Sequence, residues 1–201
     1  HPVLQKNLLH QLLGKLAGSR KDITSGHVEQ VLELFLSGTG KRVCLPYGIA
    51  AERTYGMVDL FFADETNLSL PVRRILQIPG DTPCDNGMQI HTEILEFDGN
   101  LKKIPEKRYT KWFDYDKIKY TVWLRTRQPG DYLQSDREGS HKKLKRYFID
   151  EKIPARDRGR IMLLAEENRV LWVIGYRISE AYKVDDRTRK VLCVQCVKKS
   201  M

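Results

Sequence analysis

Leu4, Leu8, Leu9, Leu12, Leu13 and Leu16 recur at steps of three to five, the spacing that lines one face of an α-helix, and Gly18-Ser19 breaks the pattern. A second helix is predicted after Lys21-Asp22-Ile23. Thr24 or Ser25 can cap it, Val28, Val31, Leu32 and Phe35 point inward, and Gly38-Thr39-Gly40 closes it. From Arg42 the apolar period falls from near four to two. The run RVCLPYGIAAERTYGMVDLFFAD, broken by Pro46, Gly48 and Gly56, reads as short hairpin strands. MQIHTEILEF and YTVWLRTR are further predicted strands, separated by the turn-rich segments LQIPGDTPCDNG and NLKKIPEKRYTKW.

The final segment reads strand, loop, helix, loop, strand, strand. Ser140 can cap a helix HKKLKRYFIDEK, in which Leu144, Tyr147 and Phe148 fall within roughly 100° of arc, opposite Lys142 and Arg146. IMLLAEE, RVLWVIGYRI and VLCVQCV then alternate as strands do. Helices and strands segregated in this way give an α+β fold: a helical hairpin with a small β-rich part, then a compact α+β domain. We place the boundary within WFDYDKIKY, near Lys117, giving domains 1–117 and 118–201.

Charge sharpens this division. Of 35 Lys+Arg and 26 Asp+Glu in the chain, 19 and 11 lie from Val122 onward, so nearly all of the net +9 sits in the second domain. A basic surplus confined to one segment is the electrostatic footprint of a polyanion partner; the alternative is a solvated basic face. The cations form three clusters. Arg125 and Arg127 alternate on a predicted strand, roughly 7 Å apart, near the spacing of neighbouring phosphates. Lys142, Lys143, Lys145 and Arg146 surround one predicted helical turn, and Arg156, Arg158 and Arg160 follow Pro154. Trp112, Phe113 and Trp172 sit in apolar surroundings and are expected in the core, which favours recognition of backbone and shape over stacking of bases.

Catalytic motifs are missing from the sequence. SGTGKR at 37–42 lacks the glycine spacing of a phosphate loop and reads as a turn. His10, His27, His91 and His141 are scattered, and there is no HExxH, no GxSxG and no Asp/Glu cluster with the spacing of a two-metal site. CVQC at 193–196 lies in an alternating strand that points its two thiols to opposite faces, so neither a metal nor a disulfide is expected. No apolar run reaches the about 18 residues that suggest a membrane span, and no signal peptide is evident; a cytoplasmic location is expected. The start at His1-Pro2, without an initiator Met, reads as a piece of something longer.

The basic segment also resembles a known family. LRTRQPGDYL is similar to the Arg-x-Arg-x-x-Gly-Asp opening of the C-terminal domain of tRNA(Ile)-lysidine synthetases, KKLKRYFIDEKIP to its Lys-Lys-Leu-Lys helix, and LWVIGYRISEAYKV to its Trp-Val-x-Gly-x-Arg strand ending at a Lys. Upstream, KDITSGHVEQVLEL, GKRVCLPYG and a Tyr-Gly resemble the family's middle, substrate-binding domain, so the likeness covers nearly the whole chain. GRIMLL at 159–164 departs from the family's Asp-x-x-Pro-Leu-Leu.

The resemblance implies a ligase that adenylates the wobble cytidine, C34, of the tRNA(Ile) with a CAU anticodon and then lets lysine displace AMP. It implies ATP with magnesium in an N-terminal domain whose Ser-Gly-Gly-x-Asp-Ser loop does not occur in this sequence, and a possible homodimer. Carried across, Arg125, Arg127, Lys142, Lys143, Lys145, Arg146, Arg177 and Lys183 are the expected tRNA contacts, joined by Arg156 from the third basic cluster, with no catalytic, cofactor or metal residue in this chain. A free-standing RNA- or DNA-binding module is the alternative.

Overall fold

The computed structural model describes residues 1–63, 73–84 and 87–198. It forms two compact units, His1–Ser69 with Pro154–Arg156, and Leu70–Ile153 with Asp157–Met201. The division differs from the expected one near Lys117. A four-stranded sheet pairs strands from both sides of that residue, which holds both sides in one unit.

In the first unit, α1 (Pro2–Ala17) and α2 (Ser25–Leu34) pack on a three-stranded antiparallel sheet of β1 (Arg42–Cys44), β2 (Ile49–Arg53) and β3 (Val58–Phe62). Gly18 ends α1 with φ 69°, the left-handed conformation that a helix stop needs and that glycine adopts without a Cβ penalty. Thr24 caps α2: its side chain accepts from the His27 N–H, and the His27 ring accepts from the Thr24 N–H, so an imidazole fills the place of the usual Glu. Leu13, Val28, Val31, Leu34, Ile49 and Ala51 make the core. Leu4, Leu8 and Leu12 remain exposed, and Phe35, expected inward, sits at the C-cap with the Arg53 guanidinium over its ring.

The second unit has two sheets. The larger runs β10 (His141–Lys143), β9 (Tyr132–Gln134), β12 (Arg169–Val173), β11 (Leu163–Glu166), β8 (Val122–Arg125) and β4 (Arg73–Ile75), antiparallel except between β12 and β9. The smaller runs β5 (Gly80–Pro83), β6 (Met88–Glu96), β13 (Lys190–Lys198) and β7 (Thr110–Asp114). Alternation along the strands sends Ile90, Phe113, Leu124, Leu164, Trp172 and Leu192 into one core cluster. Leu133, Leu144, Tyr147, Phe148, Leu163 and Val173 enter another, which includes the inward face of α3 (Leu144–Asp150). A register shift at Leu164/Ala165 leaves Leu171 without a partner on β11, so that Leu171 and Trp172, though adjacent, both enter the first cluster. Helices and sheets together give the α+β class expected from the sequence.

Three local readings change. The helix expected from His141 begins at Leu144, because His141–Lys143 pair with Tyr132–Gln134 as a strand. β5 and β7 arise in segments read as loops, each recruited by a long neighbour: β6 for β5 and β13 for β7. No described helix is long and apolar enough to cross a membrane.

Candidate nucleic-acid interface

The Arg-Thr-Arg-Gln-Pro-Gly-Asp segment leaves β8 and closes on itself before β9. Arg125 is 1 % exposed and Asp131 3 %. The guanidinium grips the carboxylate with both forks, Nη1 to Oδ2 at 2.8 Å and Nη2 to Oδ1 at 2.7 Å, and also donates to the Thr126 and Glu167 carbonyls. Asp131 Oδ2 accepts from the Gln128 N–H at 2.7 Å, and Gly130 turns the chain at φ 89°. The expected phosphate grip by Arg125 is therefore corrected: the residue is a buried latch that shapes the loop. Thr126 is also buried, and Arg127, past the end of β8, emerges on the surface.

That latched loop faces the start of α3. Arg127, Gln128, Pro129, Lys143 and Lys145 line a cleft of ≈ 490 Å³ between the loop and the β10–α3 junction. Arg127, Lys143 and Lys145 are exposed, and none has a carboxylate partner among the described residues. Three uncompensated cations around one concavity make a strong local attraction for an anion.

The remaining expected contacts carry partners. Lys142 (3.1 Å) and Arg146 (3.0 Å) both reach Asp150, one from the strand and one from a helical turn away. Arg177 (3.2 Å) and Lys183 (2.5 Å) share Glu180. Burial pushes the Glu180 carboxyl up, but bonds and charge from Lys183 and Arg177 outweigh it and hold the group below the usual carboxylate range. Arg156 belongs to the first unit, where it pairs with Asp59 at 2.6 Å and lies over the Phe61 ring. The sequence showed these cations but not the acids that neutralise them. At the departure from the family pattern, Arg158 Nε donates to the Ile153 carbonyl, while Arg160 is exposed.

The turn at 37–42 connects α2 to β1, and its Gly40 N–H donates to the Arg53 carbonyl at 2.7 Å. A triphosphate cradle needs free N–H groups at a helix start, so these residues do not fit ATP. Cys44, Cys84, Cys193 and Cys196 are thiols; Cys196 lies on β13, where burial pushes its pKa up. Among the described residues no three His, Cys, Asp or Glu side chains are grouped to hold a metal.

Residues 122–194, which carry both the latch and the cleft, match the model of the TilS substrate C-terminal domain. The chain is 32% identical over 198 residues to the tRNA(Ile)-lysidine synthase of Caldanaerobacter subterraneus subsp. tengcongensis, covering 98% of this chain and 42% of that protein. With the tRNA(Ile)-lysidine synthase of Dehalococcoides mccartyi it shares 34% over 198 residues, 97% of this chain and 42% of that one. It thus spans about two fifths of the length of these relatives. A crystal structure of a TILS C-terminal domain superposes with a TM-score of 0.53 at 26% identity, covering 66% of this chain and all of that domain. Over nearly its whole length this chain is therefore similar to part of the tRNA(Ile)-lysidine synthases, and residues 122–194 match the TilS substrate C-terminal domain.

Proposed function

We propose that this chain is the tRNA-holding part of a tRNA(Ile)-lysidine synthetase and that the cleft of Arg127, Lys143 and Lys145 takes the phosphate backbone of the tRNA. The observation that carries the reading is the set of three exposed, uncompensated cations around one concavity inside the family-matched segment. Arginine suits a forked contact with phosphate and lysine a point contact, so the mixture can follow a backbone without reading bases. Lys142, Arg146, Arg177 and Lys183 would add further contacts, trading Asp150 and Glu180 for phosphate as the tRNA arrives. Arg125 contributes through the loop that it latches, and Arg156 through the first unit.

In the parent enzyme, ATP with magnesium, lysine and the C34 chemistry belong to a further domain, which would join lysine to the tRNA(Ile) bearing a CAU anticodon in the cytoplasm. This chain by itself would hold the tRNA without turnover, as one subunit of a homodimer if the parent pairs. Titration with that tRNA and with a control tRNA, at two salt concentrations, tests this reading. Binding that weakens steeply with salt, with no lysine incorporated, is expected. Salt-independent binding, or none, contradicts it.

A further inference from the structure

The β9–β10 hairpin has a second surface. Leu133 points into the core cluster with α3, so Tyr132 and Gln134 point to the opposite face, where His141 opposes Gln134 in register. There the rings of Tyr132 and His141 lie 4.7 Å apart, inclined at 43°. Arg169, paired with Tyr132 across β12 and β9, donates from Nε to the Tyr132 hydroxyl at 3.1 Å. These groups, with Lys119 and Tyr182, line an open cleft of ≈ 530 Å³.

Its electrostatics favour an anion beside an aromatic. Lys119 and Arg169 are exposed, with no carboxylate partner among the described residues, whereas Lys117, also on the rim, is neutralised by Asp185 at 2.7 Å and Asp114 at 3.2 Å. The Glu166 carboxylate nearby is buried and occupied. It accepts from the Lys119 and Tyr120 N–H groups and from the Tyr182 hydroxyl. Lys119 Nζ donates to the Asp116 carbonyl and Arg169 to the Tyr132 hydroxyl, which leaves both charges without a counter-ion; an aromatic pair on a sheet face with such cations at its edge can stack a base and hold its phosphate.

We propose that this cleft stacks an unpaired nucleotide of RNA against Tyr132 and His141, with Arg169 and Lys119 on its phosphate. The inference rests on the tRNA-binding reading and adds a second contact to it. The two clefts share one hairpin: Lys143, in the first, pairs directly across from Tyr132, in the second. Directly opposed residues have Cβ atoms about 5 Å apart, so an RNA strand gripped at Lys143 has an adjoining nucleotide within reach of the rings.

The test uses the full 201-residue chain. A blunt RNA hairpin and the same hairpin with a single-stranded 3′ extension containing 2-aminopurine are titrated, and both anisotropy and 2-aminopurine fluorescence are read. The extension is expected to tighten binding roughly ten-fold, with the fluorescence quenched on stacking. Tyr132→Leu, and independently the exposed-site change His141→Ala, remove that gain and that quench and leave blunt-hairpin affinity unchanged; Tyr132→Phe, which keeps the ring, retains both. The inference is overturned if the extension adds nothing while the blunt hairpin binds in a salt-dependent way, or if the gain survives both ring-removing variants. If neither RNA binds, the tRNA-binding reading and this inference are overturned together.

Discussion

Arg125 and Arg127 stand two residues apart in one motif, and the structure assigns them opposite consequences on substitution. Arg125→Met keeps most of the apolar stem but strands the Asp131 carboxylate, itself 3 % exposed, and removes a donor from both the Thr126 and Glu167 carbonyls. Removing one partner of a buried ion pair costs about 3–5 kcal/mol, mostly because the other charge stays buried without compensation. In a chain of this size each kcal/mol lowers the melting temperature by about 2–4 °C, so a fall of roughly 10 °C is expected. Arg127→Met, at an exposed site, should change stability by no more than about 0.5 kcal/mol. Urea unfolding followed by tryptophan fluorescence is suited to the comparison, because Trp112, Trp123 and Trp172 all lie in the second unit. Adding Asp131→Leu to Arg125→Met should restore part of the loss, since no lone charge remains. If Arg125→Met unfolded within about 1 kcal/mol of wild type, or if Arg127→Met were equally destabilising, the latch assignment would be refuted.

Other perturbations have outcomes of stated size. Phe148→Ala empties a fully buried position beneath α3 and should cost about 3–5 kcal/mol by the same urea assay. Thr24→Ala removes the cap of α2 and should cost about 1 kcal/mol, seen as earlier loss of helical circular dichroism. His91 is held between Glu93 (3.0 Å) and Asp81 (2.7 Å); hydrogen bonds to them raise the pKa of its imidazole in the folded state. The imidazolium therefore adds stability in full below about pH 6.5, the unfolded value, and that contribution is lost as pH rises through the higher folded value. Unfolding of His91→Gln against pH should show its deficit at acid pH and little at pH 8; a deficit independent of pH contradicts this.

How much of this was legible depended on the range of the forces involved. The helices α1 and α2 and the strands β6, β8 and β13 follow from local periodicity and from caps written beside them. The start of α3 was misplaced because LKRYF continues backwards as a plausible helix, and only the hydrogen bonds to Tyr132–Gln134 make His141–Lys143 a strand. β7 was hidden in a Lys-rich segment, since its pairing partner β13 lies some eighty residues later in the sequence. The basic clusters were visible as charge. Which cations were free was not, because that is decided by Asp131, Asp150, Glu180 and Asp59, whose proximity is tertiary. Tyr132 and His141 were missed for the same reason: eight residues separate them until the hairpin closes. The one available signal was an aromatic just after the Gly-Asp turn.

On the proposed reading, the uncompensated cations of the latched-loop cleft hold tRNA, more than the basic surplus as a whole does. The direct measurement is the salt dependence of tRNA(Ile) affinity for wild type and for a variant with Arg127, Lys143 and Lys145 all changed to Ala, with Arg187→Ala and Lys190→Ala, outside the cleft, as the charge-loss control. Each lost phosphate contact flattens the slope of log affinity against log salt by about one unit. A flattening of about three units in the cleft variant, with little change in the control, is predicted. Equal slopes for wild type and the cleft variant would contradict the account.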